Sequence, residues 1–269
     1  MVLTTQPSPG RGFGLEAAAL RVDILGVRIS AVNMPQALDR LVRHVDGGQR
    51  GYVCVTDVNA LLHARRDPEL RRIFNTSTMT VPDGVPLVWA GKRAGADWMG
   101  RVCGPDLMPA LLTAAAERGW SSYFLGGAPQ VAEDMIENFK RTIPGLKVAG
   151  WHSPPFRELS QEEEWALVQE INDSGAQIVW VGLGAPKQER WMDYYRSRLT
   201  ASLMVGVGAA FDMHAGRVSR APRWMQRSGL EWSYRFAQEP RRLWKRYTLN
   251  APVFALALCR RAPKLADFT

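Results

Sequence analysis

Side chains that could do chemistry collect in this 269-residue sequence where short apolar runs end. Met79-Thr80-Val81 runs into Pro82-Asp83-Gly84-Val85-Pro86. Two prolines and a glycine hold that carboxylate in a rigid turn. Asp83 reads either as a turn residue or as a general base, desolvated enough to raise its pKa. Val53-Cys54-Val55 runs into Thr56-Asp57-Val58-Asn59, where the Thr56 hydroxyl and the Asn59 amide either cap a helix or meet a ligand. Tyr123-Phe124-Leu125 ends in Gly126-Gly127, and Ile178-Val179-Trp180-Val181 ends in Gly182-Leu183-Gly184 with Lys187 and Gln188 close behind. Glycines before a helix either make plain tight turns or let backbone N–H groups reach a phosphate. Val205-Gly206-Val207-Gly208 leads to Asp212, which is either a second carboxylate at the site, a cap or a partner for an arginine.

Other chemistries find no support in these patterns. Lys187 stands where a dinucleotide fingerprint needs its third glycine, which disfavours a nicotinamide cofactor. No D-x-D occurs, and the four histidines and three cysteines lack metal-ligand spacing, so no metal and no cofactor are expected. A diphosphate would instead be neutralised by Arg, Lys and backbone N–H groups. No G-x-S-x-G or other nucleophile setting is present.

Charge divides the chain. Residues 217–269 carry 12 Lys/Arg and three Asp/Glu, a net +9, whereas the whole chain is +8, so residues 1–216 are close to neutral. A near-neutral body with one basic segment bearing Trp and Leu suggests a catalytic domain that meets an anionic surface or substrate. Nucleic acid is a lesser alternative, because no helix-turn-helix, zinc-finger or RNA-binding signature accompanies the charge. The odd, dispersed cysteines fit a reducing compartment. No run approaches the ~18 apolar residues that span a bilayer, and Ala251–Cys259 could lie on a membrane but not cross one.

The elements that must position these residues follow from periodicity. Strands are expected at Val22–Ile29, Tyr52–Val55, Thr78–Val81, Ser122–Leu125, Lys147–Ala149, Gln177–Val181 and Ser202–Val207. Helical spacing covers Pro35–Val45, Asn59–Phe74, Pro105–Arg118, Pro129–Arg141 and Ser160–Asn172, the last opened by a Ser160/Glu163 capping box. The alternation predicts an α/β fold with a mostly parallel, Rossmann-like sheet flanked by helices on both faces. Residues 1–20 read as a loose tail, 21–216 as the catalytic domain and 217–269 as a basic, helical appendage.

Seven ordered segments carry a family resemblance: VTDVNA (55–60), VPDGVPLVW (81–89), RVCGPDL (101–107), FLGGAP (124–129), VGLGAPKQERW (181–191), GVGAAFDMHAGRVSRAP (206–222) and LEWSYRFAQEPRRLWKRY (230–247). With them the chain resembles the WecG/TagA/CpsF family of bacterial glycosyltransferases. The resemblance implies inverting, metal-independent transfer from a UDP-sugar to a polyprenyl-diphosphate-linked saccharide. It places that reaction at the cytoplasmic face of the plasma membrane, in exopolysaccharide or cell-surface polysaccharide synthesis. By the same resemblance Asp83 is the base, Thr56 and Asn59 are a polar pair beside it, and Arg101 and Gln188 contact sugar and diphosphate. Arg220 and Arg223 would close over the site. Membrane contact falls to Trp224, Trp232, Arg241, Arg242, Leu243, Trp244, Lys245 and Arg246. A homo-oligomer is left open, and a membrane-attached scaffold without turnover is the rival reading. At Trp151–Phe156 the chain reads WHSPPF and departs from the family pattern.

Overall fold

A computed structural model describes residues 20–267. The expected tail therefore lies, but for its last residue, outside the described residues. Six parallel strands form the central sheet: β3 (Gly51–Thr56), β4 (Met79–Pro82), β5 (Ser121–Gly126), β6 (Lys147–His152), β7 (Ile178–Gly182) and β8 (Leu203–Gly206). Their order is β4-β3-β8-β7-β5-β6. Both faces are covered, so successive strand residues enter opposite cores: Ile178 and Trp180 one, Val179 and Val181 the other. Helices α1 (Met34–Asp46), α5 (Gly104–Arg118), α6 (Pro129–Thr142) and α9 (Ala210–His214) cover the first face. The second carries α2 (Val58–Arg66), α3 (Pro68–Thr76), α4 (Val85–Arg93), α7 (Gln161–Asp173) and α8 (Lys187–Tyr195).

Two elements differ from their expected form. The strand expected at Val22–Ile29 is a hairpin, β1 (Leu20–Ile24) and β2 (Val27–Ser30), paired antiparallel. Its two turn residues both have positive φ, Leu25 at 57° and Gly26 at 94°, the geometry that matches strand twist in a tight hairpin. Leucine is an unusual residue there and hid the turn within an apolar run. The helix expected over Asn59–Phe74 is broken at Asp67-Pro68, because a residue before proline avoids helical dihedrals. Asp67 ends α2 and caps α3, accepting from the Leu70 amide at 3.0 Å. The Ser160/Glu163 capping box forms as expected.

After α9 the chain continues through α10 (Arg223–Arg227), α11 (Glu231–Gln238), α12 (Pro240–Thr248) and α13 (Asn250–Arg260) to β9 (Lys264–Asp267). These elements turn back onto the body. Strand β9 pairs antiparallel with β1, Arg261 donates to Asp23 Oδ1 at 3.1 Å, and Phe254 and Ala257 join the core beneath α2. Among the described residues no helix is long and apolar enough to cross a membrane.

The sheet has one topological switch. From β5 the chain moves outward through α6 to β6, and from β7 it moves inward through α8 to β8. Helices α6 and α8 consequently lie on opposite faces, which puts the switch point, where open sheets bind ligands, at the carboxyl ends of β5 and β7. Gly126 closes that edge at φ 120°; a Cβ there would meet the Gly182 carbonyl carbon at 2.6 Å. Gly184, at φ 78°, faces open space. Gly126→Ala should therefore cost more than the ~1–3 kcal/mol of backbone strain alone, and Gly184→Ala about 1 kcal/mol. Thermal melts would show this as unequal drops, at roughly 2–4 °C per kcal/mol for a domain of this size.

Candidate active site

The parallel sheet places every strand's carboxyl end on one edge, and the candidate residues separate there into two neighbouring centres. The first lies at β3 and β4. The Asp83 amide donates to the Thr56 carbonyl at 2.8 Å and ties the two strand ends together. Asp57 caps α2, accepting from the Ala60 amide at 2.9 Å, so capping does not explain Thr56 or Asn59. Thr56 is fully buried and its hydroxyl has no hydrogen-bond partner among the described residues. Asn59 Oδ1 accepts from Asn250 Nδ2 at 2.8 Å, which fixes the start of α13 against α2.

Asp83, Asn59 and Arg101 line one cavity of about 500 Å³, within the range of small-molecule sites. Glu231, Trp232 and Arg235 of α11 close one side of it. The Arg101 guanidinium donates from Nη2 to Asp83 Oδ1 at 3.2 Å, from Nε to the Asp83 carbonyl at 3.0 Å and from Nη1 to Glu231 Oε2 at 2.6 Å. Glu231, only 6% exposed, also accepts from Arg220 Nε at 3.4 Å. Arg220 in turn pairs through both Nη atoms with Asp106. The result is an alternating row of acid and base, Asp83–Arg101–Glu231–Arg220–Asp106.

This row sets the protonation of its members. Asp83 lines the cavity with 27% of its side chain accessible. Desolvation pushes its pKa up to about 6, against the pull of Arg101 and with a further upward push from Glu231. For Asp106, burial works against the charge, but hydrogen bonds from Arg220 and Cys103 outweigh it and hold the carboxyl below its ordinary range. Burial also raises the Cys103 thiol, which stays protonated and donates to Asp106 Oδ2 at 2.9 Å. It is a structural donor, not a nucleophile.

The second centre is the switch point itself, where Gly126, Gly127, Gly182 and Gly184 follow the ends of β5 and β7. Lys187, the first residue of α8, is exposed beside it. Gln188 is not free to meet a ligand in this arrangement. It is 3% exposed, its Nε2 donates to Glu189 Oε1 at 2.9 Å, and its Oε1 accepts from the Gly208 amide at 3.1 Å. It braces the loop after β8 against α8. Glu189 behind it is fully buried, and desolvation raises its pKa. Asp212 is half-buried in α9, and its carboxylate neither caps that helix nor pairs with an arginine among the described residues.

The remaining expected residues lie on the C-terminal helices. Arg223 and Arg241 are exposed, as are Trp224, Trp232 and Trp244. Leu243 is not an outward contact, because it is 2% exposed and packs inward. The side chains of Arg242, Lys245 and Arg246 lie outside the described residues. Glu231 and Arg235 were missed by sequence reasoning. Both stand inside the LEWSYRF segment, and an acid amid that basic, aromatic stretch was the one available signal.

Comparison with known proteins supplies the family. A model described as "Glycosyl transferase WecG/TagA/CpsF family" matches residues 22–267. The chain is 30% identical over 217 residues to the N-acetylglucosaminyldiphosphoundecaprenol N-acetyl-beta-D-mannosaminyltransferase of Bacillus spizizenii (strain ATCC 23059 / NRRL B-14472 / W23). That alignment covers 81% of this chain and 82% of the relative. With the match spanning the parallel sheet, both centres and the C-terminal helices, the chain belongs to the WecG/TagA/CpsF family of glycosyltransferases.

Proposed function

We propose that the protein transfers a sugar, with inversion, from a UDP-sugar to a saccharide carried on a polyprenyl diphosphate, in the synthesis of a cell-surface polysaccharide. The observation that carries the reading is Asp83, a desolvated carboxylate held by Arg101 in the lining of a cavity on the carboxyl edge of the sheet. The relative's name supports a lipid-linked N-acetylglucosamine as acceptor and N-acetylmannosamine as the transferred sugar.

In the proposed reaction the acceptor hydroxyl attacks the anomeric carbon of the donor. A new carbon–oxygen bond forms as the bond to the diphosphate oxygen breaks, Asp83 takes the hydroxyl proton, and UDP leaves with the bonding pair. The switch point takes the uridine end of the donor, where open parallel sheets bind nucleotides. Three to four strand spacings, roughly 15–20 Å, separate it from the Asp83 end of the sheet, a span an extended UDP-sugar covers from base to sugar, so the diphosphate, bonded to the anomeric carbon, lies toward Asp83. No metal is needed where N–H groups and cations neutralise the leaving group. Association with the cytoplasmic face of the membrane through the C-terminal helices brings the site to its lipid-linked acceptor, with exposed Trp224 and Trp244 beside basic residues.

UDP release from a panel of UDP-sugars, with and without a short polyprenyl-diphosphate acceptor, tests the reading. Release that depends on acceptor and survives EDTA is expected. Donor binding without release under any condition would identify a scaffold instead.

Asp83→Asn should lower kcat about 10²–10⁴-fold without unfolding the protein. A carboxyl whose folded pKa is raised contributes stability that is complete below its unfolded pKa, about 3.9, and is lost as pH rises through about 6. At neutral pH the amide variant should therefore melt no lower than the parent. In the parent, kcat/KM should rise through about pH 6 as Asp83 ionises. Glu231→Gln removes the charge that pushes Asp83 up, so the acid limb should move to lower pH. Because it leaves two half-buried arginines without their shared acid, chemical denaturation should show a loss of about 3 kcal/mol.

A further inference from the structure

The cavity that holds Asp83 continues away from it as an apolar cleft. One wall is α4, presenting Val85, Pro86 and Trp89; the other is α13, presenting Ala251, Ala255 and Leu258. Both walls are fixed. Gly84 starts α4 directly after Asp83, and α13 is held by the Asn250–Asn59 hydrogen bond and by burial of Phe254 and Ala257. Helix α4 leads from the carboxylate at its start to Arg93 at its end, about 13 Å for nine residues. Polar groups therefore crowd the inner end and hydrocarbon lines the run outward.

The cations are graded along the same path. Arg101 and Arg220 are neutralised within the acid–base row. Arg235 is near enough for its charge to act on Asp83, yet it has no ion pair among the described residues and its Nε has no hydrogen-bond partner. Arg93 stands exposed at the outer rim beside Trp89, which is 67% exposed. A carboxylate, a cation near it without an ion pair among the described residues, and apolar walls within one cavity match the groups of a sugar–diphosphate–prenyl molecule. We infer that the cleft between α4 and α13 seats the first isoprene units of the lipid-linked acceptor, so that the protein grips the hydrocarbon as well as the sugar. The inference rests on the proposed acceptor class and adds where its tail lies. Burial of that tail supplies affinity that a tail-less acceptor lacks.

The probes are farnesyl diphosphate, below its micelle concentration, and inorganic diphosphate, each titrated by calorimetry into the full chain. Farnesyl diphosphate should bind at least about tenfold more tightly, a difference of 1.4 kcal/mol. Ala255→Trp, at an exposed small residue of the cleft wall, should abolish most of that advantage and leave inorganic diphosphate unchanged. Leu256→Trp, exposed on the same helix and absent from the cleft lining, should behave as the parent. Equal binding of both probes by the parent, or a full farnesyl advantage in Ala255→Trp, overturns the inference. So does an Ala255→Trp effect confined to binding of phosphatidylglycerol vesicles, which would make the cleft a bilayer contact. UDP release is scored separately: a chain that shows the farnesyl effect without turnover retains the cleft and loses the transferase reading.

Discussion

A single buried acid holds the two parts of this site together. Glu231 sits between Arg101 of the body and Arg220 of the segment after α9, and each arginine carries a second acid on its far side. An unpaired charge at this depth would be strongly unfavourable, and an alternating row compensates each member on both sides. Breaking one contact therefore disturbs several. The row seats α11, and α11 closes the cavity over Asp83. The same row sets the competition between Arg101, which favours the Asp83 carboxylate, and Glu231, which opposes it. The position of the C-terminal helices and the basicity of the candidate base are consequences of one arrangement.

Strand direction accounts for the rest of the site. With all six strands parallel, every βα connection begins on the same edge, and chain segments far apart in sequence meet there. Thr56 and Asp83 meet because β3 and β4 are neighbours; the glycine loops after β5 and β7 meet because the switch point makes them so. Close approach requires glycine at Gly126, since any Cβ would press on the neighbouring loop. Gln188 contributes from beneath this surface. By holding the Gly208 amide and Glu189 at once, it shapes the edge without facing the cavity.

What the sequence made legible was local. Apolar runs ending in glycine, in Pro-Asp-Gly or in Thr-Asp marked β3, β4, β5, β7 and β8, and Ser160/Glu163 marked a helix start. Asp83 and Asn59 follow such runs, Arg101 opens the RVCGPDL segment, and the three line one cavity. What escaped was either a strong local rule hidden by an ordinary pattern or a contact between distant segments. Leu25 at positive φ hid a hairpin, and Asp67-Pro68 broke a periodicity that otherwise ran on. Pairing of β9 with β1 joins opposite ends of the chain, and no short window contains both partners. Leu243 shares its helix with exposed Trp244, so composition alone could not say which of the two faced inward. Glu231 gains its role only from two arginines 130 and 11 residues away.

Net charge is a poor guide to where an anion binds here. The C-terminal segment is strongly basic in sequence, yet Arg220 is neutralised by Asp106 and Glu231, and Arg261 by Asp23. A guanidinium already held by two carboxylates offers little to a phosphate, because binding one would first strip the other. Among the described residues, cations without an acid partner include Arg235 and Arg93, which line the cavity, and Arg223 and Arg241, which are exposed. The paired arginines set the geometry of the site, while Arg235 and Arg93 line its cavity outside the acid–base row. That separation lets structural charge stay fixed while open cations are left for a phosphorylated ligand.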